Sequence, residues 1–326
     1  MKLAHAAAGC PHGSDPSLRH MAWVWQFSHD GDPYPISATL AANNLSVAVK
    51  THDATDWMSR YDPSISAITG PEQISAVAHQ FEAAGVPFHA WCVVKGIDPS
   101  LEAQMASEVL DAGARSLIID LEAGDGFYEG NAETAVLYGS QLRALQPDAT
   151  ITVSIDPRPW RASLVPMTEF AAFTDGWLPQ VYWETFNSPA NVTEYDYAGY
   201  SASSTGITPE LILQATMDVL SPFTLPILPV GQGDSGNIDA WQRFIDHSTT
   251  NGMNVLSSWR YGVTNPAVWP LLKTVLAEHE TYVIQDGDAL SVLADQWGVS
   301  VEMIAELNGI VDPNFVQIGQ TVCRPT

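Results

Sequence analysis

Two carboxylates, Asp120 and Glu122, stand two residues apart at the end of the apolar run 115–121, with glycines at 124 and 126. Leu117, Ile119 and Leu121 alternate with Ile118, Asp120 and Glu122, which predicts a buried strand whose second face turns acidic at its C-terminal end. Two residues of strand rise separate the Cα atoms of the pair by roughly 6.5 Å, near enough for each charge to raise the proton affinity of the other. A carboxyl group that keeps its proton near neutral pH is what a general acid requires. Gly124 and Gly126 let the chain turn sharply away and leave the pair at a mouth. An acidic strand end that caps a helix or pairs with a surface arginine is the alternative reading. A calcium loop fails, because Asp120, Glu122 and Asp125 break the alternate acidic spacing that motif needs. No zinc-ligand spacing occurs, and neither metal nor cofactor is expected.

Other chemistry-bearing groups also sit at the ends of apolar runs. Asp156 and Arg158 follow the run 150–155, where they form an ordinary salt bridge or line a site beside Glu122. Gln180 and Tyr182 share a face of the run 177–183; Tyr182 either orients a substrate amide or is a core tyrosine with a satisfied hydroxyl. His52, Asp53, Gln232 and Trp259 occupy equivalent ends of further runs. Trp91, Trp183 and Trp259 suit stacking on sugar rings or packing in a core. Gly231, Gly233 and Gly236 fit a dinucleotide fingerprint, but a lone match in the seventh strand–helix unit instead of the first is a weak signal.

Groups scattered over so many strand ends meet only on a scaffold that gathers those ends. Between residues 22 and 276, β-rich apolar runs alternate with amphipathic stretches, the pattern of a parallel sheet with crossover helices. The strands are expected at 23–27, 46–51, 87–94, 115–122, 150–155, 177–183, 226–230 and 253–259. Helices are expected after each, at 35–41, 70–85, 98–113, 131–146, 165–173, from 208, at 237–247 and at 265–276, with a long polar loop over 184–207. Eight such units in about 255 residues predict an α/β fold, a (β/α)8 barrel, in preference to an open doubly wound sheet.

The 326 residues include 13 Lys+Arg against 37 Asp+Glu, a formal charge of −24. Such a chain lacks the basic face that nucleic acid or anionic membrane requires. It also repels anionic polymers at long range, so binding to a cell wall has to come from short-range sugar contacts. Hydrophobic residues make up 46% of the chain, enough for a large core. No stretch approaches the ~20 apolar residues of a membrane-spanning helix. Cys10, Cys92 and Cys323 are odd in number and far apart, which does not describe a disulfide framework; Cys92 reads as a core residue. Residues 1–20 read as an unstructured extension whose Ala-rich run is too short for a signal peptide, with Met21 an alternative start.

The last 45 or so residues read as strand, helix, turn, helix, strand. Tyr282-Val283, Gly287-Asp288, Leu290, Ala294, Gly298-Val299-Ser300, Asn308-Gly309 and Ile318-Gly319-Gln320 together resemble a LysM domain over its whole length. The chain departs from that pattern at Ala289, where the family commonly has Thr, and at Cys323, where it has an aliphatic residue. The resemblance implies a small α+β (βααβ) module over 278–326 that binds N-acetylglucosamine-containing polysaccharide, peptidoglycan or chitin. Gly287, Asp288, Ala289, Leu290, Asn314 and Phe315 are its implied glycan contacts. The segment 278–280 is then a very short linker to a barrel over 21–277, and it raises the effective concentration of the barrel on a polymer.

A barrel, a strand-four Asp-x-Glu and a LysM-like tail together resemble barrel-type glycoside hydrolases. The muramidases of glycoside hydrolase family 25 carry an Asp-x-Glu pair at the end of a central strand, matched here by Asp120 and Glu122. Family 18 chitinases carry a longer acidic motif and an assisting strand-six tyrosine, matched by Tyr182. The longer motif is missing its upstream acids, with Leu117 and Ile118 in their place. The muramidase acids of the first and last strands are replaced by Gln26 and Trp259. The resemblance implies hydrolysis of N-acetylhexosamine bonds, with Glu122 as acid and Asp120 steadying the acetamide of a substrate that assists its own cleavage. Asp156, Arg158, Gln180, Trp183, Trp91, His52, Asp53, Gln232 and Trp259 are the expected substrate contacts. The expected setting is extracellular or wall-associated. A glycan-binding barrel that has lost its chemistry is the rival reading.

Overall fold

The computed structural model describes residues 19–274, 281–308, 310 and 312–324. Nearly all of the expected N-terminal extension, the 278–280 linker and Gly309 lie outside them. The described residues separate into two compact units, one of residues 20–273 and one that includes 281–324.

Among the described residues of the first unit, eight parallel strands close into a barrel. They are β1 Met21–Val24, β2 Ser46–Asp53, β3 Phe88–Val93, β4 Ser116–Leu121, β5 Thr150–Ile155, β6 Trp177–Val181, β7 Val230–Gln232 and β8 Ser257–Trp259. Each pairs with its successor, and Met21 and Ala22 of β1 pair with Ser257 and Ser258 of β8 to complete the circle. The crossover helices are α1 Pro33–Ala42, α2 Pro71–Ala83, α3 Pro99–Asp111, α4 Ala132–Leu145, α5 Met167–Ala171, α6 Pro209–Leu220, α7 Ile238–Thr250 and α8 Val268–Leu271. Four of them place Pro at the first position, where the absent N–H has no helical partner to lose. Asp98, Asn131, Thr208 and Asn237 cap their helices with side-chain oxygens, each worth ~1 kcal/mol.

The alternation read in β4 has a direct structural counterpart. Leu117, Ile119 and Leu121 belong to the layer between strands and helices, whereas Ile118 packs inside the barrel with Met21, Trp23, Ala48, Trp91, Val93, Leu178, Val230 and Val255. That inner cluster fills the barrel, so it is a packed core and not a pore.

Several boundaries differ from expectation for local reasons. β1 ends at Val24 because the Trp25 and Gln26 amides donate to Asp30 Oδ2 and start a turn. The expected helix 165–173 is two short pieces, Pro159–Ala162 and Met167–Ala171, split before Pro166. The expected loop 184–207 holds helices Pro189–Tyr197, capped by Ser188, and Ala202–Thr205. β7 and β8 are shorter than their apolar runs, and Pro226 and Pro229, having no N–H, limit pairing before Val230. The last helix, expected at 265–276, spans four residues within the described part.

In the second unit β9 Thr281–Val283 pairs antiparallel with β10 Thr321–Cys323, and α9 Leu290–Trp297 and α10 Val301–Asn308 lie between them in sequence. Ile284, Leu290, Leu293, Ala294, Ile304 and Val322 form its core. Gly298 ends α9 with φ 70°, a left-handed cap that a side chain would strain. The Asn308 amide donates to the Cys323 carbonyl at 2.9 Å and accepts from its N–H at 2.6 Å, fastening α10 to β10. Cys323 is disulfide-bonded, and Cys92 is a free thiol in the barrel core, as read from the sequence.

Candidate active site

The C-terminal ends of five strands converge on one small cavity of about 90 Å³, lined by Trp23, Asp120, Glu122, Ser154, Gln180, Tyr182 and Trp259. Asp120 lies on β4 and is buried; Glu122 follows one residue beyond the strand. Gln180 on β6 binds both. Its Nε2 donates to Glu122 Oε1 at 2.7 Å and reaches Asp120 Oδ1 at 3.3 Å and Ser154 Oγ at 3.4 Å. One neutral amide thus holds two carboxylates in a fixed relation without cancelling their charge.

Two charges enclosed this closely cannot both be ionised cheaply. Burial first, and the Glu122 charge second, hold Asp120 well above the usual carboxylate range. Burial also raises Glu122; the Gln180 hydrogen bond opposes it, Asp156 adds to it, and Arg161 and Arg158 oppose it. Burial is the leading cause for both carboxyl groups; the Glu122 charge adds to the rise at Asp120, whereas the charge that adds to the rise at Glu122 is that of Asp156. Burial, then the charges of Glu122 and Asp120, push the Tyr182 phenol well above its usual range, so it remains a donor.

The aromatic wall is continuous. Trp23, Trp91 and Trp259 contact one another at centroid separations of 5.3, 5.3 and 5.7 Å. Trp91 is buried, donates to the Val24 carbonyl and lies outside the cavity lining, so it packs behind the other two. Trp183 is likewise removed from the cavity: it packs on Trp241 and Phe244 in the helix layer and donates to Ser235 Oγ.

The remaining expected contacts form supporting networks. His52 is buried beside Thr51 and edge-on to Trp57, outside the cavity lining, and burial pushes its imidazole down to about 3, so it stays neutral. Burial alone would raise Asp53, but Lys50 at 3.0 Å and Lys95 at 2.6 Å hold it below the usual range. Asp156 accepts two bonds from Arg158 Nε and Nη2, the salt bridge foreseen from sequence, and also faces Arg161. Gln232 accepts from the Glu184 and Thr185 amides and donates to Asp234, so it fixes the β6 loop. A Cβ on Gly231 would stand 2.5 Å from the Trp241 ring, and one on Gly233 2.5 Å from the Trp259 carbonyl. Close packing, and not a phosphate cradle, accounts for those two glycines of the fingerprint.

Sequence reasoning missed Trp23, Ser154 and Asp30. The first two follow from register: Trp23 faces inward on β1, and Ser154 precedes Asp156 on the polar face of β5. Asp30 has no local signature. It accepts from the Trp25, Gln26 and Gly262 amides and from Arg260, which lies 5.1 Å over the Trp25 ring, and so ties the β1 loop to the β8 loop. A larger depression of about 620 Å³ lies at the opposite end of the barrel, where Arg143 is already bound to Phe173, Ala149 and Asp175.

Comparison with known proteins separates the two units. Residues 282–325 match the LysM domain family. The tail is a LysM domain. The same stretch is similar to part of the N-acetylmuramoyl-L-alanine amidase XlyA of Bacillus subtilis (strain 168), 42% identical over 43 residues that make up 13% of this chain. The match spans 14% of that curated relative's length. For the barrel, the Bacillus cereus spore cortex-lytic enzyme SleL superposes with a TM-score of 0.50 at 12% identity, over 80% of this chain and 75% of that one. Fungal β-1,4-galactanases superpose at 0.50 and 11%, over 75% and 89%. At these identities the likeness is one of fold.

Within the LysM domain, the Asp288 carboxylate accepts from Tyr282 OH at 2.8 Å and from the Gln285 amide at 2.7 Å, and Leu290 is in the core. Ala289 occupies the N-cap of α9 with no side-chain bond, the place where a threonine would supply one. Gly287, Asn314 and Phe315 are exposed, Phe315 at 66%.

Proposed function

We propose that the protein is a wall-associated glycan hydrolase that cleaves N-acetylhexosamine bonds in peptidoglycan or chitin, with the LysM domain holding it on the polymer. The observation that carries the reading is the cavity itself: two carboxylates held by one glutamine, a tyrosine and two tryptophans converge at the upper end of a barrel. Among the described residues that line it, the carboxylates are Asp120 and Glu122, neighbours on one strand. A nucleophilic carboxylate across the sugar is missing from that lining, which favours attack by the substrate's own acetamide.

In this reading the acetamide enters beside Asp120. Its N–H favours the ionised form of Asp120, whose proton passes to Glu122. Glu122 then delivers that proton to the glycosidic oxygen as the C–O bond breaks and the acetamide oxygen bonds to the anomeric carbon. Tyr182 steadies the acetamide oxygen, and Asp120 balances the positive charge on its nitrogen. Water opens the ring with Glu122 as base, which restores the proton.

Release of reducing ends from purified peptidoglycan and from chitin oligomers tests the reading. Wild type releases them from one or both. Binding without release from any N-acetylated glycan supports instead a barrel that only holds glycan, to which the missing accessory acids would then point.

A further inference from the structure

The end of β5 carries more positive charge than its carboxylate uses. Asp156 is buried, and Arg158 satisfies it with Nε and Nη2 at 2.9 and 2.5 Å. Arg158 is itself fully engaged: Nη1 donates to Asn191 Oδ1 at 3.1 Å, and the guanidinium lies 4.2 Å over the Phe186 ring. Arg161 is not engaged to the same degree. Its Nη2 donates to the Ala123 carbonyl, the residue directly after Glu122. Its Nε is buried yet stands 3.6 Å from Asp156 Oδ2, beyond hydrogen-bond reach. Among the described residues Nη1 has no acceptor, and a third of the side chain, 33%, remains open to solvent.

A half-buried guanidinium with unused donors is costly unless an acceptor arrives. The planar fork of arginine suits a carboxylate, which can accept two of its N–H groups together. The position is specific too, since a Cβ on Gly124 would lie 3.4 Å from Arg161 Nη2; the guanidinium borders the turn that carries Glu122. A chain of net charge −24 does not attract anions from afar, and beyond roughly 10 Å such fields are screened at 0.1 M salt. A local cation at the mouth can therefore recognise one acidic substituent on a sugar without drawing in polyanions.

We propose that Arg161 receives a carboxylate borne by the glycan, so that the barrel selects N-acetylated chains with an acidic substituent, as muramic acid has, over neutral chitin. This deepens the hydrolase reading above and rests on it.

The test uses the full-length protein and three tetrasaccharides of equal length: a muramic-acid-containing one, the same chain with its carboxylates converted to primary amides, and chitotetraose. Wild type should favour the acid over its amide by about tenfold or more in kcat/KM, and Arg161→Gln should reduce that ratio to within about twofold, chiefly through KM. Arg161→Lys, which keeps charge without the fork, should fall between them. Equal action of wild type on acid and amide overturns the proposal. So does an equal loss on all three substrates in Arg161→Gln, which would leave Arg161 as a tether for the Ala123 carbonyl. Absence of hydrolysis by wild type would defeat the hydrolase reading alone. Titration of Glu122→Gln with the same three glycans then decides the proposal, because the LysM domain is common to both backgrounds: a preference for the acid that Arg161→Gln removes supports it, and no preference overturns it.

Discussion

The barrel mouth and the LysM domain hold their functional groups in opposite ways. At the mouth, side chains from β1, β4, β5, β6 and β8 meet around a small enclosed volume, and each anion near it is bound by cations or by Gln180. In the LysM domain a six-residue core supports a short contiguous module, and Phe315 and Ile318 stand 66% and 69% exposed. Low dielectric makes each polar atom of the mouth matter to a reaction. In the small module the surface presented to a polymer matters more than any one buried charge. Chemistry and retention should therefore fail independently.

The largest separation should come from Glu122→Gln, which keeps shape and removes the proton donor. Hydrolysis should drop at least 10²-fold, with retention on insoluble peptidoglycan or chitin unchanged in a pull-down. Activity that persists would move the chemistry elsewhere, with Asp156 the next residue to replace. The converse change is deletion of residues 281–326, which should weaken retention by about tenfold or more and leave cleavage of short soluble oligomers; undiminished retention would contradict the role given to the LysM domain. Gly231→Ala drives a methyl into Trp241 and should cost ~1–3 kcal/mol of barrel stability in a denaturant titration. If the glycine fingerprint cradled a nucleotide, a dinucleotide would raise the melting temperature of wild type, and we expect no such rise.

The smallest effect is a pH dependence. Burial and the neighbouring charge make Asp120 hold its proton more tightly in the folded chain than in the unfolded one. Its contribution to stability is complete below the unfolded value of about 3.9 and is lost as pH rises through the folded value. Asp120→Asn ends that loss. The variant's melting temperature should gain on wild type between pH 5 and pH 8 by on the order of a few degrees, while its hydrolysis falls and changes pH profile. A gap that stays constant over that range would show that Asp120 is ionised in the resting protein.

The same contrast explains how far the sequence could be read. The LysM pattern was legible because its determinants, from Tyr282 to Gln320, are contiguous and their spacing is fixed by a short module. The barrel was legible from periodicity, since strands buried on both faces read as apolar runs. Asp120, Glu122, Gln180, Tyr182 and Trp259 were each visible as strand-end residues, and the cavity unites them. Trp91 and Trp183 stayed open between platform and core in the sequence because a tryptophan at a strand end has the same local signature whether it faces a cleft or a helix. Only closure of the barrel, which turns Trp183 toward Trp241 and Phe244, distinguishes them. Asp30 was invisible for a related reason: Arg260 is 230 residues away and pairs with it only once β8 meets β1.

The account depends most on the acetamide acting as nucleophile beside Asp120. Chitotetraose and its fully N-deacetylated counterpart, offered to wild type under identical conditions with product anomers followed by NMR, test this directly. Cleavage of the acetylated chain with retention of configuration, and a rate at least 10²-fold lower without the acetyl groups, is the predicted result. Comparable rates on both chains, or inversion at the anomeric carbon, would contradict it.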